Sequence, residues 1–198
     1  MPENLHKLFV ISSPSGGGKT SLINKLFEDS RSANFEKSIS DTSRQKRQGD
    51  LEGKDYYFLS EKDFKDKIKK EEYVEYATVF GNFYGTSKEE IKKKYNNSNL
   101  ILELDWQGAY AVKELFDDAK LIFLLPPSLD DLKQRLIKRN LDSSEAIENR
   151  LSEAKKEISK SEMYDYLVLN DDFDKAFEDL SQILFEGISP IDFNSRAS

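Results

Sequence analysis

Ser13-Pro14-Ser15-Gly16-Gly17-Gly18-Lys19-Thr20 has the residue types that cradle a phosphate chain. Consecutive glycines let the backbone approach phosphate oxygens where any side chain would collide or resist the required dihedrals. N–H groups at the start of a following helix then face the anion. In such a loop Lys19 would reach the β- and γ-phosphates, and the Thr20 hydroxyl would hold Mg²⁺. The general pattern is G-x-x-x-x-G-K-[ST], and Ser13 occupies its first glycine position. The apolar run Leu8-Phe9-Val10-Ile11 precedes the loop, and Ser21, Leu22, Ile23, Leu26 and Phe27 follow it. Strand, glycine turn and amphipathic helix in that order predict a site for a nucleoside polyphosphate.

A second group of residues suits a phosphate monoester. The polar stretch Ser38 to Gly49 carries Arg44 and Arg47, whose planar, permanently charged guanidinium groups can grip a phosphate from two sides. Tyr56 and Tyr84 offer hydroxyls to the same anion, and Gly81 to Thr86 reads as a tight aromatic loop. The single histidine, His6, stands ahead of the first apolar run, so histidine catalysis is not expected. With no cysteine there is neither a disulfide nor a thiolate metal site, which suits a cytoplasmic protein.

These residues need a scaffold. Leu8–Ile11, Leu100–Leu104, Leu121–Leu125 and Leu167–Leu169 read as buried parallel strands. Helical spacing marks a helix from near Lys19, Asp130 to Leu141, Ser144 to Met163 and Lys175 to Phe185. Strands alternating with helices predict an α/β fold, a parallel sheet flanked by helices. Residues 36–95 differ: Lys54–Leu59 and Glu72–Val79 read as antiparallel strands around a charged helix over Glu61–Lys70. This predicts a mixed subdomain inserted between the first two core strands, with the charges from Lys65 to Glu72 as a solvated face. Asn96–Asn99 is a turn back to the core, and the tail from Ser189 is expected to fray.

Composition narrows the partners. At 198 residues the chain suits one domain, and 37 % hydrophobic with 34 % charged residues implies a core under a very polar surface. A net charge of −7 speaks against a nucleic-acid surface, while a local arginine cluster can still attract a small anion. No run approaches the roughly 18–20 apolar residues that span a bilayer. Met1-Pro2-Glu3-Asn4 lacks a signal-peptide pattern.

The ordered motifs resemble guanylate kinases over about Lys7 to Glu186. After the glycine cradle come Thr42-Ser43-Arg44-Gln45-Lys46-Arg47, Gly53 to Phe58, Tyr73-Val74-Glu75-Tyr76-Ala77, Gly81 to Thr86, Leu104 to Gly108, Phe123 to Ser128, and Asn170-Asp171-Asp172. The resemblance implies one kinase domain over 1–198, a P-loop core with a GMP-binding subdomain at about 36–95 and a helical lid at about 129–160. It implies transfer of the γ-phosphoryl of MgATP to GMP, with dGMP as a competing acceptor, although the cradle residues alone would permit GTP as donor. The matching positions put Ser40, Arg44, Arg47, Tyr56, Glu75, Tyr84, Thr86, Glu103 and Asp105 on GMP. Glu75 would accept both the N1–H and N2–H₂ of guanine and face a lone pair on adenine. Ser13 to Ser21, Arg139 and Asn170 fall on ATP, and Lys19, Arg44, Arg135 and Arg150 carry the reaction. Ser13, Ser43, Lys46 and Glu103 depart from the family's usual residues; Glu103 replaces an aspartate with a longer arm. Scaffold domains of the same fold typically lack an intact cradle with its lysine, and a ribose bisphosphate phosphokinase would not call for Glu75 with the Arg44 to Tyr56 segment.

Overall fold

In the computed structural model, residues 6–79, 81–138 and 144–188 are described. The chain runs β1 (Leu8–Ser12), α1 (Lys19–Glu28), β2 (Phe35–Lys37), β3 (Asp41–Thr42), β4 (Tyr57–Phe58), α2 (Glu61–Lys69), β5 (Tyr73–Val79), β6 (Asn82–Ser87) and α3 (Lys88–Tyr95). It continues with β7 (Asn99–Glu103), α4 (Trp106–Leu115), β8 (Lys120–Leu125), α5 (Leu129–Lys138), α6 (Ser144–Ile158), β9 (Tyr166–Leu169) and α7 (Phe173–Ser181). A π-helical turn over Gln182–Glu186 follows.

Five parallel strands in the order β2-β7-β1-β8-β9 form the main sheet. The four apolar runs are four of them; β1, β7 and β8 are buried on both faces, while β9 at the edge buries only Val168. Leu8, Val10, Leu100, Leu102, Leu121 and Phe123 pack on one face with α3 and α4, through Ile91, Tyr95, Ala109 and Val112. Phe9, Ile11, Ile101, Ile122, Leu124 and Val168 pack on the other with α1 and α7, through Leu22, Ile23, Leu26, Ala176 and Leu180. Continuous apolar strands covered by helices on both sides are the usual signature of a parallel sheet. The fifth strand, β2, escaped the sequence reading because it is three half-polar residues at the sheet edge.

A second, four-stranded sheet has the order β4-β3-β6-β5. Three expectations are corrected here. Lys54–Leu59 contributes only Tyr57 and Phe58 as a strand, and these pair parallel, not antiparallel, with Asp41 and Thr42. Gly81 to Thr86 is chiefly a strand, paired antiparallel with β5 in the register Glu75↔Thr86 and Ala77↔Tyr84. Its two glycines and polar residues hid a strand whose other neighbour, β3, is remote in sequence. The helix α2 seals this sheet with Phe64, fully buried between Tyr73 at 4.5 Å and Phe83 at 5.3 Å. Nor is the charge run from Lys65 wholly solvated, because Lys67 pairs with Asp41, which is 3 % exposed.

The α5–α6 stretch has a small core of its own: Leu132 and Leu136 of α5 pack with Ile147, Leu151 and Ala154 of α6. Leu132 and Leu136 also close over Gly16 of the cradle. No helix among the described residues is long and apolar enough to cross a membrane.

Candidate active site

The cradle forms where β1 ends and α1 begins. Ser60, Ser87, Asp105 and Asp172 cap α2, α3, α4 and α7 by accepting a backbone N–H. The α1 helix has Gly18 in that place and no side-chain cap. Its first N–H groups are therefore left for an anion. Ser13, Pro14, Ser15, Gly16, Gly17, Gly18, Lys19, Thr20 and Ser21 together line a cleft of about 230 Å³. Gly18 has φ +95°, and a Cβ there would stand 2.3 Å from the Asn170 amide nitrogen. Both facts demand glycine.

Asn170, just after β9, is 4 % exposed and donates from Nδ2 to the Gly17 carbonyl at 2.7 Å. In this structure it clamps the cradle. Arg135 of α5 donates to the Asn170 carbonyl at 2.8 Å, so α5 reaches the residue that holds the cradle. Arg150 lies on α6, partly buried. Arg139 falls outside the described residues, as do the tail from Ser189 and the first five residues.

Lys19 donates to the Leu104 carbonyl at 3.3 Å. Burial lowers its proton affinity, against the pull of Glu103, Glu157 and Asp105. Glu103, at the end of β7, does not stay clear of the phosphate loop. Its Oε1 accepts the Thr20 hydroxyl at 2.8 Å and its Oε2 accepts Lys37 Nζ at 2.6 Å. Burial pushes this carboxyl up, but Lys19, Lys37 and the Thr20 hydroxyl outweigh it and hold it below the ordinary glutamate value.

The second carboxylate site lies across the molecule's cleft. Glu75 on β5 and Asp105 at the start of α4 line a hollow of about 370 Å³ with Tyr73, Tyr76 and Gln107. Burial raises the proton affinity of Glu75, against the Thr86 hydroxyl, which donates to its Oε1 at 2.6 Å. Ser40 Oγ stands 3.3 Å from Thr86 Oγ1, so the three side chains form a chain of hydrogen bonds. A Cβ on Gly108 would lie 3.0 Å from Glu75 Cγ, so α4 approaches β5 closely only because position 108 is glycine. Asp105 accepts the Gly108 N–H at 2.9 Å and so caps α4 as well as facing Glu75.

A third hollow of about 330 Å³ shares Lys19 and Thr20 with the cradle and is lined also by Lys37, Ser40, Lys54, Tyr56 and Glu103. Arg44 stands over the Tyr56 ring at 5.5 Å and pairs with Asp50 at 2.8 Å. The Tyr56 and Tyr84 rings meet edge to face at 5.7 Å. Arg47 stays apart: its side chain is exposed, and its backbone N–H donates to the same Asp50 carboxylate at 2.7 Å.

Sequence reasoning missed Lys37 and Glu157. Lys37 lies at the carboxyl end of a core strand, where open α/β sheets place their ligands, and that rule could have found it once β2 was seen. Glu157 sits in α6 within electrostatic reach of Lys19 and Asp105; burial and Asp105 push its carboxyl up to about 7. Only tertiary packing brings it there. The donor set offered to a metal, one hydroxyl and one carboxylate, suits Mg²⁺, which takes few protein ligands and completes its shell with water and substrate phosphates. Among the described residues no cluster of three or more His, Cys, Asp or Glu could hold an ion by itself.

The family model described as guanylate kinase matches residues 5–187. A guanylate kinase of Wolbachia sp. subsp. Brugia malayi is 46 % identical over 184 residues, covering 92 % of this chain and 93 % of the relative. One of Hahella chejuensis is 48 % identical over 178 residues, covering 89 % and 85 %. The crystal structure of a guanylate kinase from Anaplasma phagocytophilum superposes with a TM-score of 0.72 at 34 % identity, covering 93 % of this chain and 87 % of the other.

Proposed function

This chain belongs to the guanylate kinase family and transfers a phosphoryl group from ATP to GMP, and we propose that the three hollows divide that work between them. The cradle holds the ATP phosphates, the Glu75–Asp105 hollow takes guanine, and the hollow between them is where donor and acceptor phosphates meet. The observation that carries this reading is the third hollow, which is lined both by the cradle lysine and by the Ser40 that leads through Thr86 to Glu75.

The nucleophile needs no general base. It is a phosphate oxygen already largely ionised near neutrality, the second pKa of a monoester being about 6. The difficulty is the approach of two polyanions, so the protein supplies positive charge and alignment. Lys19 would leave the Leu104 carbonyl for the transferring phosphoryl, and Arg44 would turn from Asp50 toward the acceptor phosphate with Tyr56, Tyr84 and Arg47. Arg135 and Arg150 would approach from the lid, a role worth about 10³–10⁵ in rate in other phosphotransferases. Thr20 and Glu103 would hold Mg²⁺, which when bound neutralises charge on the β- and γ-phosphates. The inserted sheet, within about residues 36–95, is the GMP-binding subdomain, and α5 with α6 is the lid.

Glu75 is the base reader. Guanine gives it two donors side by side, while adenine would leave a desolvated carboxylate facing a lone pair, a loss of about 1–3 kcal/mol for each bidentate base contact. An ADP-release assay with MgATP and GMP, AMP, CMP or UMP tests this. Turnover with GMP alone is expected, and equal turnover with AMP would remove Glu75 from base selection.

A further inference from the structure

The second sheet joins the main one through two connections only: residues 38–40 between β2 and β3, and α3 between β6 and β7. An ion pair on α3 grips the first of them. Lys94 Nζ lies 2.8 Å from Glu90 Oε1 one turn earlier, with the side chains 14 % and 5 % exposed. Lys94 donates to the Lys37 carbonyl at 2.7 Å, and Glu90 Oε1 accepts the Ile39 N–H at 3.0 Å. The Tyr57 hydroxyl of β4 reaches Glu90 Oε2 at 3.4 Å, and Glu36 of β2 stands 4.0 Å from the ammonium. On the opposite side, the Ser38 N–H donates to the Ile101 carbonyl of β7. The segment is thus bound as a strand is bound, with α3 side chains standing in for one neighbour.

Lys37, Ser38 and Ser40 of that same segment line the third hollow. Lys37 Nζ holds Glu103, which accepts from Thr20, and Ser40 joins Thr86, which donates to Glu75. Glu90 and Lys94 line none of the three hollows. We propose that the Glu90–Lys94 pair is a positioning device that holds residues 37–40 and so sets the separation of the ATP and GMP subsites. The proposal rests on the reading of those subsites given above. A buried pair suits this task because half of it is worse than none: losing one partner strands a charge in the interior. The backbone therefore has one well-defined seat. An apolar contact at the same place would leave the Lys37 carbonyl and the Ile39 N–H free to shift.

The test is Lys94→Met beside Lys94→Arg in the full chain, with folding checked by circular dichroism. GMP and ATP affinities are measured separately by calorimetry, and kcat by ADP release. Lys94→Met should weaken GMP binding about 10-fold and lower kcat about 10-fold, as expected for a small misplacement of aligned groups, with ATP affinity unchanged. Lys94→Arg should recover most of both. Native kcat and GMP affinity in folded Lys94→Met would overturn the proposal, and so would equal losses for ATP and GMP. If Lys94→Met does not fold, Glu90→Gln, which keeps an acceptor for Ile39 but loses the charge, is put to the same measurements and the same outcomes decide. Failure of the subsite reading itself would show differently, as a wild-type protein silent with GMP.

Discussion

Glu75 must be ionised to accept two donors from guanine, yet burial pushes its proton affinity up. For a carboxylate raised in this way, the charged form is lost at higher pH than for an ordinary glutamate. On acidification the KM for GMP should therefore begin to rise at a higher pH than an ordinary glutamate would cause. The phosphate of GMP also takes up a proton on acidification, so the comparison is with Glu75→Gln. That variant should show a KM for GMP raised about 10- to 100-fold at pH 8, a narrowing gap toward acid, and an unchanged KM for ATP. A parallel pair of pH profiles would make Glu75 structural. Glu157 makes the opposite kind of statement. Its carboxyl is pushed up to about 7, above the ordinary 4.5, so the folded state favours the proton. The stability linked to it is present below pH 4.5 and lost as pH rises through 7. Glu157→Gln should raise Tm at pH 8 and have little effect near pH 4.5. A Tm gain of the same size at both pH values would show that its charge is not the cause.

The cradle depends on elements meeting as much as on its own residues. Gly18 lies between the start of α1 and the loop after β9, where Asn170 holds the Gly17 carbonyl. Gly18→Ala would strain the backbone by about 1–2 kcal/mol from its left-handed conformation alone. It would also drive Asn170 off its acceptor. The expected result is loss of ATP affinity by calorimetry, together with a lower Tm. Native ATP binding in Gly18→Ala would mean that the loop relaxes without Asn170. This contact was not legible in the sequence, because Asn170 is 153 residues from Gly17. The strand–loop–helix order that surrounds Gly18 was legible, because each part is local.

The second sheet has an aromatic stack of its own, although Val74 of β5 also packs against a core cluster of the main sheet. Phe64, Tyr73 and Phe83 stack beneath the second sheet, away from the two core clusters of the main one. Phe64→Ala should cost about 3–5 kcal/mol, as the removal of a fully buried aromatic side chain does. The loss should fall on the second sheet, since proteins open in local cooperative units. GMP affinity should collapse while ATP affinity in the cradle stays nearly native. Equal loss of both in titrations would show the two sheets to unfold as one.

Local chemistry was enough to read the α/β class, four core strands and the strand–glycine loop–helix order around Ser13 to Thr20 from the chain alone, whereas Glu75 entered only through the resemblance to a family. Runs of Leu, Ile and Val have no alternative to burial, and three glycines before a lysine and a helix define their own geometry. The strands of the second sheet could not be read in this way. Asp41 and Thr42 pair with Tyr57, Phe58, Tyr84 and Gly85, so each short strand is defined by partners distant in sequence. The same holds for Glu103, whose matching position pointed toward GMP while the structure sets its carboxylate on Thr20 and Lys37. A side chain's reach is fixed by its type, but what it reaches depends on which strand ends lie side by side, and only the parallel pairing of β1 and β2 with β7 brings those three residues together.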